Sequence, residues 1–261
     1  MDSGIGLLAA AAALRRLRPD ADLILSSDPD GLPWGPRTPE DVTARSLGCV
    51  RAAMAHRPDA LIVACNTASV HALPALRAEL EPGVPVIGTV PAIKPAAATG
   101  GAVAIWATPA TTGSAYQRGL IAEFAGGADV TEVPCPGLAD AVQYADDGAI
   151  AAAVAAAAAL TPQDVRAVVL GCTHYELVAE RIRAAVRPDA GAEVALYGSA
   201  EAVAAQALRR IGARPSAEAD ADAEVTGRLT VILSGRESAL PPQADRYAEG
   251  RALRASDVPV A

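Results

Sequence analysis

Two cysteines stand in closely similar local sequence at two places in the chain. Residues 61–68 read Leu-Ile-Val-Ala-Cys-Asn-Thr-Ala, and residues 168–175 read Val-Val-Leu-Gly-Cys-Thr-His-Tyr. In each, an apolar run typical of a strand ends at a cysteine, and short polar residues then begin a helical pattern. A thiol at a helix N-terminus lies in positive potential, which favours its thiolate. Two such thiols facing one carbon can remove a proton from one side and return one to the other, which is the chemistry of a racemase or epimerase.

The alternative is that a cysteine is simply a small buried residue. That interpretation is favoured for Cys49 and Cys135, which lack the repeated context, whereas the repeat favours the chemical role for Cys65 and Cys172. A disulfide framework is not expected in a chain this long without a signal peptide. No Cys-x-x-Cys pair occurs, and the histidines do not cluster with cysteines at zinc spacing, so no metal is expected. Lys94 is the only lysine, and its context does not indicate a Schiff base to pyridoxal phosphate.

Other short polar residues accompany the two thiols. Asp2 and Ser3 open a helix with small residues, and His174 stands two residues after Cys172, where it can exchange a proton with that thiol or with a substrate. Further donors at predicted helix N-termini suit the binding of a carboxylate; they are Asn66, Thr67 and Thr173. Alternatively, the donors are ordinary helix caps and His174 has only a structural role.

Composition and charge exclude several classes of protein. The 261 residues are 51% hydrophobic and 20% charged, which indicates a globular chain of one or two domains. A net charge of -8 does not favour a nucleic-acid partner, because no basic excess exists to neutralise phosphates. The longest apolar run, residues 149–160, is shorter than the roughly 18 residues of a membrane span. The N-terminus lacks the basic region of a secretory signal.

Short apolar runs alternate with alanine-rich amphipathic stretches, which predicts parallel sheets built from βαβ units. The predicted strands are residues 22–26, 60–64, 86–90, 102–106, 129–133, 167–170 and 193–197. The predicted helices are residues 5–17, 40–56, 68–80, 113–124, 149–159, 175–186 and 200–211. Residues 213–224 read as a polar linker, and residues 225–233 and 238–254 predict a last strand and a last helix.

Five segments occur in the order and spacing of the glutamate racemases. They are residues 2–6, 32–40, 63–69, 107–116 and 170–175. On these motifs the chain resembles the cofactor-independent aspartate/glutamate racemase superfamily from Asp2 to about residue 250. The motifs around Cys65 and Cys172 are the most specific of the five.

The resemblance implies an α/β fold of two pseudo-symmetric lobes, each a mainly parallel sheet flanked by helices, with the active site in the cleft between them. One lobe would comprise residues 1–90 and 205–261, and the other residues 91–204. The implied reaction interconverts L- and D-glutamate, supplying D-glutamate for peptidoglycan in the cytoplasm, without pyridoxal phosphate or metal. Glutamate is the implied partner, neither nucleic acid nor membrane is expected, and a homodimer is left open.

The resemblance also assigns roles to residues. Cys65 and Cys172 correspond to the two catalytic bases, Asp2 and His174 to the groups that assist them, and Asp28 to a further acidic residue near the site. The positions that match substrate-binding residues of the family are Ser3, Trp34, Gly35, Asn66, Thr67, Thr108, Thr111 and Thr173.

The chain departs from the family pattern at several positions, none of which removes a thiol. Leu7 replaces a glycine, and Trp34 stands where tyrosine is usual, in the strip that meets the side-chain carboxylate of the substrate. Gln143 stands where glutamate is common, and Glu176 stands where proline is usual. Residues 198–200 replace an Asp-Ser-Gly-like turn. These departures bear on the substrate and the rate more than on the reaction class.

The largest departure is at the start of the sequence. In the family an apolar strand leads into the motif at Asp2, in the middle of the sheet, and here only Met1 precedes it. We therefore expect a gap between the strands at residues 22–26 and 60–64. Two other functions stay open from the sequence. One is a racemase of aspartate, a hydantoin or another small acid, and the other is an impaired homologue that acts by binding, for example to gyrase.

Overall fold

The computed structural model describes residues 1–186, 193–216 and 225–255. The strands are β1 (Leu23–Ser27), β2 (Leu61–Val63), β3 (Val86–Gly88), β4 (Ala102–Ala107), β5 (Val130–Pro134), β6 (Val165–Leu170), β7 (Ala195–Tyr197), β8 (Leu229–Leu233) and β9 (Arg236–Ser238). The helices are α1 (Leu7–Leu17), α2 (Pro39–Met54), α3 (Asn66–His71), α4 (Leu73–Leu80), α5 (Ile93–Ala97), α6 (Ala115–Phe124), α7 (Leu138–Gln143), α8 (Asp147–Leu160), α9 (Thr173–Glu176), α10 (Ala179–Ala185), α11 (Ala200–Arg210) and α12 (Ala248–Ala255).

The alternation of strands and helices confirms the predicted α/β class, with corrections to three helices. The predicted helix 68–80 is broken at Ala72, and α4 begins at Leu73 with Pro74 in its first turn, where proline is tolerated. The predicted helix 238–254 is instead β9, a 3-10 turn at Pro242–Arg246 and α12, because consecutive prolines at 241 and 242 remove two helical donors. The predicted helix 175–186 is α9 and α10. Of the predicted linker, residues 217–224 lie outside the described residues.

The chain divides into two compact units. Met1–Thr89 with Ala200–Ala261 form unit 1, and Val90–Ser199 form unit 2. The sheet of unit 2 has the order β5-β4-β6-β7, and all its pairs are parallel. Its central strands β4 and β6 are apolar and almost entirely buried, as expected for a parallel sheet covered by helices. The carboxyl ends of β4 and β6 are therefore neighbours, and the loops that follow them share one edge of the sheet.

The strands of unit 1 form two separate groups. In one, β8 pairs in parallel with β1 and antiparallel with β9; in the other, β2 pairs in parallel with β3. Met1 and Asp2 lie between the groups: the Met1 ammonium donates to the Ile62 carbonyl (2.7 Å), and the Asp2 N–H donates to the Ser26 carbonyl (3.1 Å). Asp2 also makes an isolated parallel bridge with Ser27. The first two residues thus join β1 to β2 at the carboxyl ends of these strands.

Towards the amino ends of β1 and β2, the two groups are separated by a cavity of about 720 Å³. Alternate residues of a strand direct their backbone groups to opposite edges. Because Leu23 and Leu61 donate to the outer neighbours of their strands, the N–H groups of Ile24 and Ile62 point towards the cavity. The lining also includes apolar side chains of α1 and α11, together with charged ones such as Arg18, Asp20 and Arg57. The cavity therefore has the backbone edges and the apolar walls that an additional parallel strand requires.

We predict that about six apolar, β-branched residues added before Met1 stabilise the chain. They would pair with both exposed edges and bury apolar surface, and they would replace the buried Met1 ammonium, whose pKa is lowered by burial, with an amide. The melting temperature should rise by at least about 3 °C, since 1 kcal/mol corresponds to about 2–4 °C in a chain of this size. Differential scanning calorimetry measures the change.

A six-residue Gly-Ser extension is the matched control, because it also removes the ammonium but cannot fill the apolar cavity. The Gly-Ser form should melt below the apolar form. Equal melting temperatures for the two extended forms would show that the cavity does not accept a strand.

Candidate active site

The two thiols that the repeat singles out have nearly the same backbone conformation. Cys65 has φ -142° and ψ 120°, and Cys172 has φ -141° and ψ 135°. Each is an extended residue at the end of a strand segment, and each directly precedes a short helix, α3 or α9. Cys65 lies in unit 1 and is buried, whereas Cys172 lies in unit 2 and is partly exposed. The repeated sequence therefore folds into a repeated local structure.

One equivalent hydrogen bond holds the backbone before each thiol. The N–H of Ala64 donates to the Met1 carbonyl, and the N–H of Gly171 donates to the Trp106 carbonyl of β4, both at 2.8 Å. A Cβ at residue 171 would lie 2.7 Å from that same Trp106 oxygen. Glycine is therefore required at this contact with β4, one residue after the end of β6 and one residue before Cys172.

In unit 1, Asp2 and Cys65 follow the paired residues Met1 and Ala64. Adjacent strands lie about 4.8 Å apart, so Asp2 and Cys65 occupy neighbouring positions at the sheet edge. The Asp2 side chain is fully buried, and its Oδ1 accepts the Ser3 N–H (2.6 Å) and the Ser3 hydroxyl (3.1 Å). Asn66, which is also buried, and Thr67 form the first turn of α3. Unit 1 thus gathers five of the predicted site residues at one edge.

The Trp34 indole is buried in the same hydrophobic cluster of unit 1 that contains Cys65. It is 2% exposed, and its N–H donates to Asp28 Oδ2 at 3.2 Å. Arg45 donates to the same oxygen at 3.0 Å, and the Ser234 hydroxyl donates to Asp28 Oδ1 at 3.1 Å. Asp28 is thereby a structural anchor for the segment after β1. A Cβ at Gly35 would meet no atom within 4 Å, so the backbone beside Trp34 leaves room for a ligand.

In unit 2, the loop after β4 carries the two predicted threonines. The Thr111 N–H donates to the Thr108 carbonyl (2.9 Å), and the hydroxyls of Thr108 and Thr111 lie 3.3 Å apart. The Ser114 hydroxyl then caps α6 by accepting the Gln117 N–H (3.1 Å). Because β4 neighbours β6, this hydroxyl pair shares a sheet edge with Cys172.

His174 connects the thiol of unit 2 to a neighbouring helix. Its Nδ1 lies 3.9 Å from Cys172 Sγ, and its Nε2 lies 3.0 Å from Gln143 Oε1 at the end of α7. His174, Thr173 and Gln143 are all buried. The structure thus brings the predicted residues Cys172, Thr173 and His174 together, and it adds Gln143, which the sequence marked only as a departure from the family pattern.

Cys49 and Cys135 are buried thiols of a different kind. Burial is the main cause that raises the pKa of Cys49 to about 11 and the pKa of Cys135 to about 12. Neither directly precedes a helix; Cys49 lies within α2 and Cys135 lies in the loop between β5 and α7. Both therefore stay protonated at neutral pH.

We predict that iodoacetamide at pH 8 alkylates Cys172 before Cys49 and Cys135. A pKa of about 11 leaves on the order of one thiolate per thousand Cys49 thiols at pH 8, and only thiolates react. Peptide mass spectrometry of the native protein at successive times measures each site. A denatured sample, in which all four thiols should react at similar rates, is the control. Labelling of Cys49 or Cys135 as early as Cys172 in the native protein would contradict the prediction.

A second contact that the sequence did not indicate involves Glu176. Its Oε1 accepts both the N–H and the hydroxyl of Ser199, each at 2.8 Å. A Cβ at Gly198 would lie 2.4 Å from the other carboxylate oxygen, so the turn after β7 is fitted to this glutamate. The departures from the family pattern at Glu176 and at residues 198–199 therefore belong together, because these residues contact each other.

Two kinds of feature are absent from the part of the chain that the structure describes. Across residues 1–186, 193–216 and 225–255, no group of three or more His, Cys, Asp or Glu side chains is arranged to hold a metal ion. No helix in the same described part of the chain has the length and apolar character to cross a membrane.

Comparison with known proteins identifies the family. A model of the Asp/Glu/Hydantoin racemase family matches residues 6–213, and the chain belongs to this family. Two of its relatives are glutamate racemases. The enzyme of Roseiflexus sp. (strain RS-1) is 36% identical over 211 residues, covering 78% of this chain and 75% of that protein. The enzyme of Sphingopyxis alaskensis is 35% identical over 253 residues, covering 93% of this chain and 90% of that protein.

The fold agrees with that assignment. The crystal structure of Escherichia coli glutamate racemase, in complex with L-glutamate and the activator UDP-MurNAc-Ala, superposes with a TM-score of 0.77 at 28% identity. The match covers 98% of this chain and 93% of that chain.

Proposed function

We propose that this chain is a glutamate racemase that interconverts L- and D-glutamate by two-base proton transfer, with one thiol from each unit. The observation that carries the proposal is the duplicated placement of Cys65 and Cys172, with the same backbone conformation and the same hydrogen bond one residue earlier. Duplicated bases suit a reaction whose two directions are mirror images at one carbon.

In the proposed reaction each direction uses one thiolate and one thiol. With L-glutamate, the Cys172 thiolate takes the α-proton, and the electron pair of the broken C–H bond remains on the α-carbon. The Cys65 thiol then gives its proton to the opposite face, which forms D-glutamate and leaves a Cys65 thiolate. With D-glutamate the two residues exchange roles. Asp2, beside Cys65, and His174, beside Cys172, are the proposed partners for proton exchange with the thiols.

The α-proton of an amino acid is only weakly acidic, so the site must stabilise the developing carbanion. Fixed hydrogen-bond donors on the α-carboxylate do this by spreading the charge, and they cost no reorganisation during the reaction. The proposed donors are Ser3, Asn66, Thr67, Thr108, Thr111 and Thr173. Several are already held by local bonds, such as the hydroxyl pair of Thr108 and Thr111.

The strip after β1 is proposed to meet the side-chain carboxylate of glutamate through its backbone. The Trp34 indole N–H donates to Asp28 and is therefore not needed for the substrate. The backbone N–H groups of residues 34–35 are available whether the side chain is tyrosine or tryptophan. The open space beside Gly35 suits this approach. On this arrangement tryptophan at this position is compatible with glutamate as the substrate.

Further properties follow from the proposed reaction. D-Glutamate made by this enzyme would supply peptidoglycan synthesis, and the proposed location is the cytoplasm. The small-molecule substrate is the principal partner. A homodimer remains part of the proposal, and analytical ultracentrifugation measures it.

The experiment that tests the function follows the circular dichroism of L-glutamate after addition of protein that has been dialysed against EDTA, without added pyridoxal phosphate. We expect the signal to decay to zero, since the thiol mechanism needs neither group, and the only lysine, Lys94, is exposed on α5. L-Aspartate is the parallel substrate and should react much more slowly. A stable glutamate signal, or decay only after metal or pyridoxal phosphate is restored, would overturn the proposal.

Replacing either Cys65 or Cys172 by serine should lower the racemisation rate at least about 100-fold, because one proton-transfer partner is lost. Each variant should still exchange the α-proton of one enantiomer with solvent. In D₂O, Cys65→Ser should deuterate L-glutamate and Cys172→Ser should deuterate D-glutamate, as proton NMR measures. Cys135→Ala is the matched control and should keep its rate. A rate above about a tenth of the unmodified level in either serine variant would contradict the two-base assignment.

A further inference from the structure

The helix α9, which directly follows Cys172, depends on its side chains for its position. It is a single turn of four residues, and a helix this short is marginal on its own. Each of its last three residues contacts a different part of unit 2: His174 contacts the end of α7, Tyr175 the loop before α7, and Glu176 the turn after β7. These contacts therefore set where α9 lies, and with it the thiol at its N-terminus.

Glu176 joins α9 to the segment after the neighbouring strand. β6 and β7 pair in parallel, with Val169 opposite Tyr197, so the chain leaves both strands at the same edge of the sheet. Glu176 Oε1 accepts the N–H and the hydroxyl of Ser199, each at 2.8 Å. Ser199 is 5% exposed, so water competes little for these two bonds. The carboxylate thus ties the last residue of α9 to a buried residue of the next segment.

The same pair of bonds occurs at the start of the chain, within the sequence Asp2-Ser3-Gly4. There Oδ1 of Asp2 accepts the N–H (2.6 Å) and the hydroxyl (3.1 Å) of Ser3, the next residue. An aspartate directly before a serine can therefore make both bonds locally. Residues 198–200 read Gly-Ser-Ala where the family pattern has an Asp-Ser-Gly-like turn. No acidic residue precedes the serine of this turn, and Glu176 binds it instead.

The carboxylate of Glu176 also occupies the space that a side chain at position 198 would need. A Cβ at Gly198 would lie 2.6 Å from Glu176 Cδ and still closer to Oε2. The backbone of Gly198 does not have a positive φ, so the glutamate and not the backbone conformation excludes a side chain there. Glutamate at 176 and glycine at 198 are thus a matched pair, because an acidic residue fits at only one of the two positions.

We propose that Glu176 is a positioning residue for Cys172: its carboxylate replaces the one that an Asp-Ser-Gly turn carries at position 198, and its bonds to Ser199 fix α9 and the thiol before it. The proposal rests on the proposed function, in which Cys172 is the base that acts on L-glutamate. Glu176 takes no proton in that reaction. Its effect is on distance, and displacement of a reacting atom by about 1 Å can cost on the order of 100-fold in rate.

Substitutions at positions 176 and 198 test the replacement of one carboxylate by the other. Glu176→Ala removes both bonds to Ser199 and should lower the melting temperature by at least about 3 °C, because hydrogen bonds to a charged group are lost. Gly198→Asp should also lower it, because the new side chain collides with the Glu176 carboxylate and repeats its charge. Glu176→Ala combined with Gly198→Asp leaves one carboxylate directly before Ser199 and should melt above both single variants.

Glu176→Ala combined with Gly198→Ala is the matched control for the aspartate double variant, because it relieves the collision without supplying a carboxylate. It should melt below the aspartate double variant, and equal melting temperatures would overturn the proposal. Glu180→Ala is the control for Glu176→Ala. The Glu180 side chain is 83% exposed and pairs with Arg183 at the surface, so its removal should leave the melting temperature and kcat unchanged.

Amide hydrogen exchange followed by NMR measures the position of α9 without any turnover. The N–H of Ser199 donates to Glu176, and the N–H groups of Tyr175 and Leu177 donate to backbone carbonyls of the same helical turn. In Glu176→Ala all three should exchange at least about tenfold faster, and adding Gly198→Asp should slow them again. Unchanged exchange at Tyr175 and Leu177 in Glu176→Ala would show that α9 is held without Glu176, and the proposal would fail.

The two single-thiol variants separate a shift of Cys172 from a general loss of stability. In the Cys65→Ser background, Glu176→Ala should slow the deuteration of L-glutamate about tenfold or more at saturating substrate, and adding Gly198→Asp should restore it. In the Cys172→Ser background, Glu176→Ala should leave the deuteration of D-glutamate nearly unchanged, because α9 does not carry Cys65. Equal slowing in both backgrounds would contradict a role in positioning Cys172.

The melting and amide-exchange results do not depend on the function. Should the protein fail to racemise glutamate while the double variant recovers its stability and its α9 protection, the proposed function fails and the placement of α9 by Glu176 stands. Should it racemise glutamate while Glu176→Ala leaves the α9 amides and the deuteration of L-glutamate unchanged, the positioning role fails and the function stands.

Discussion

The arrangement of this protein depends on one backbone hydrogen bond in each unit, made by the residue before each thiol. Transfer of a proton between carbon and sulfur tolerates little error in distance, and misplacement by about 1 Å can cost on the order of 100-fold in rate. A cysteine side chain has a single rotatable bond to its sulfur, so the backbone decides where the thiol lies. The N–H groups of Ala64 and Gly171, each 2.8 Å from a carbonyl of the neighbouring strand segment, set that backbone.

The supports behind these two bonds are unequal. In unit 2 the accepting carbonyl belongs to β4, which is paired with β5 on one side and β6 on the other. In unit 1 it belongs to Met1, beside the cavity between β1 and β2. Asp2 follows Met1 directly, so the carboxylate proposed to assist Cys65 depends on the same short segment. The backbone before Cys172 is thus bonded to a strand that is paired on both sides. The backbone before Cys65 is bonded to Met1, in a two-residue segment beside a cavity.

The sequence was sufficient to predict the features that depend on local pattern. The alternation of strands and helices, the strand ends at Cys65 and Cys172, and the burial of Cys49 and Cys135 all follow from apolar runs and their neighbours. Apolar periodicity does not reveal the breaks in the helices, because it continues through Pro74 and through the prolines at 241 and 242, where a backbone donor is absent.

The contacts of the site that the sequence could not predict are long-range. Gln143 meets His174 only because α7 packs on α9, and their separation of 31 residues gives no local signal. The Trp34 indole bonds to Asp28, which lies nearby in the chain, but the Asp28 carboxylate is itself held by Arg45 and by Ser234, and Ser234 is separated from Asp28 by 206 residues. The need for glycine at 171 is likewise visible only once the Trp106 carbonyl is in place.

The dependence of Cys65 on Met1 has a kinetic consequence for the proposed reaction. Mirror-image substrates have equal free energies, so the equilibrium constant between them is unity, and detailed balance makes kcat/KM identical for L- and D-glutamate. A displacement of the Met1 segment would move only one of the two bases, yet it would have to lower kcat/KM equally in both directions. A defect in the position of Cys65 therefore lowers kcat/KM for both enantiomers and not for one alone. The unit whose thiol is held by fewer backbone contacts limits the rate in both directions.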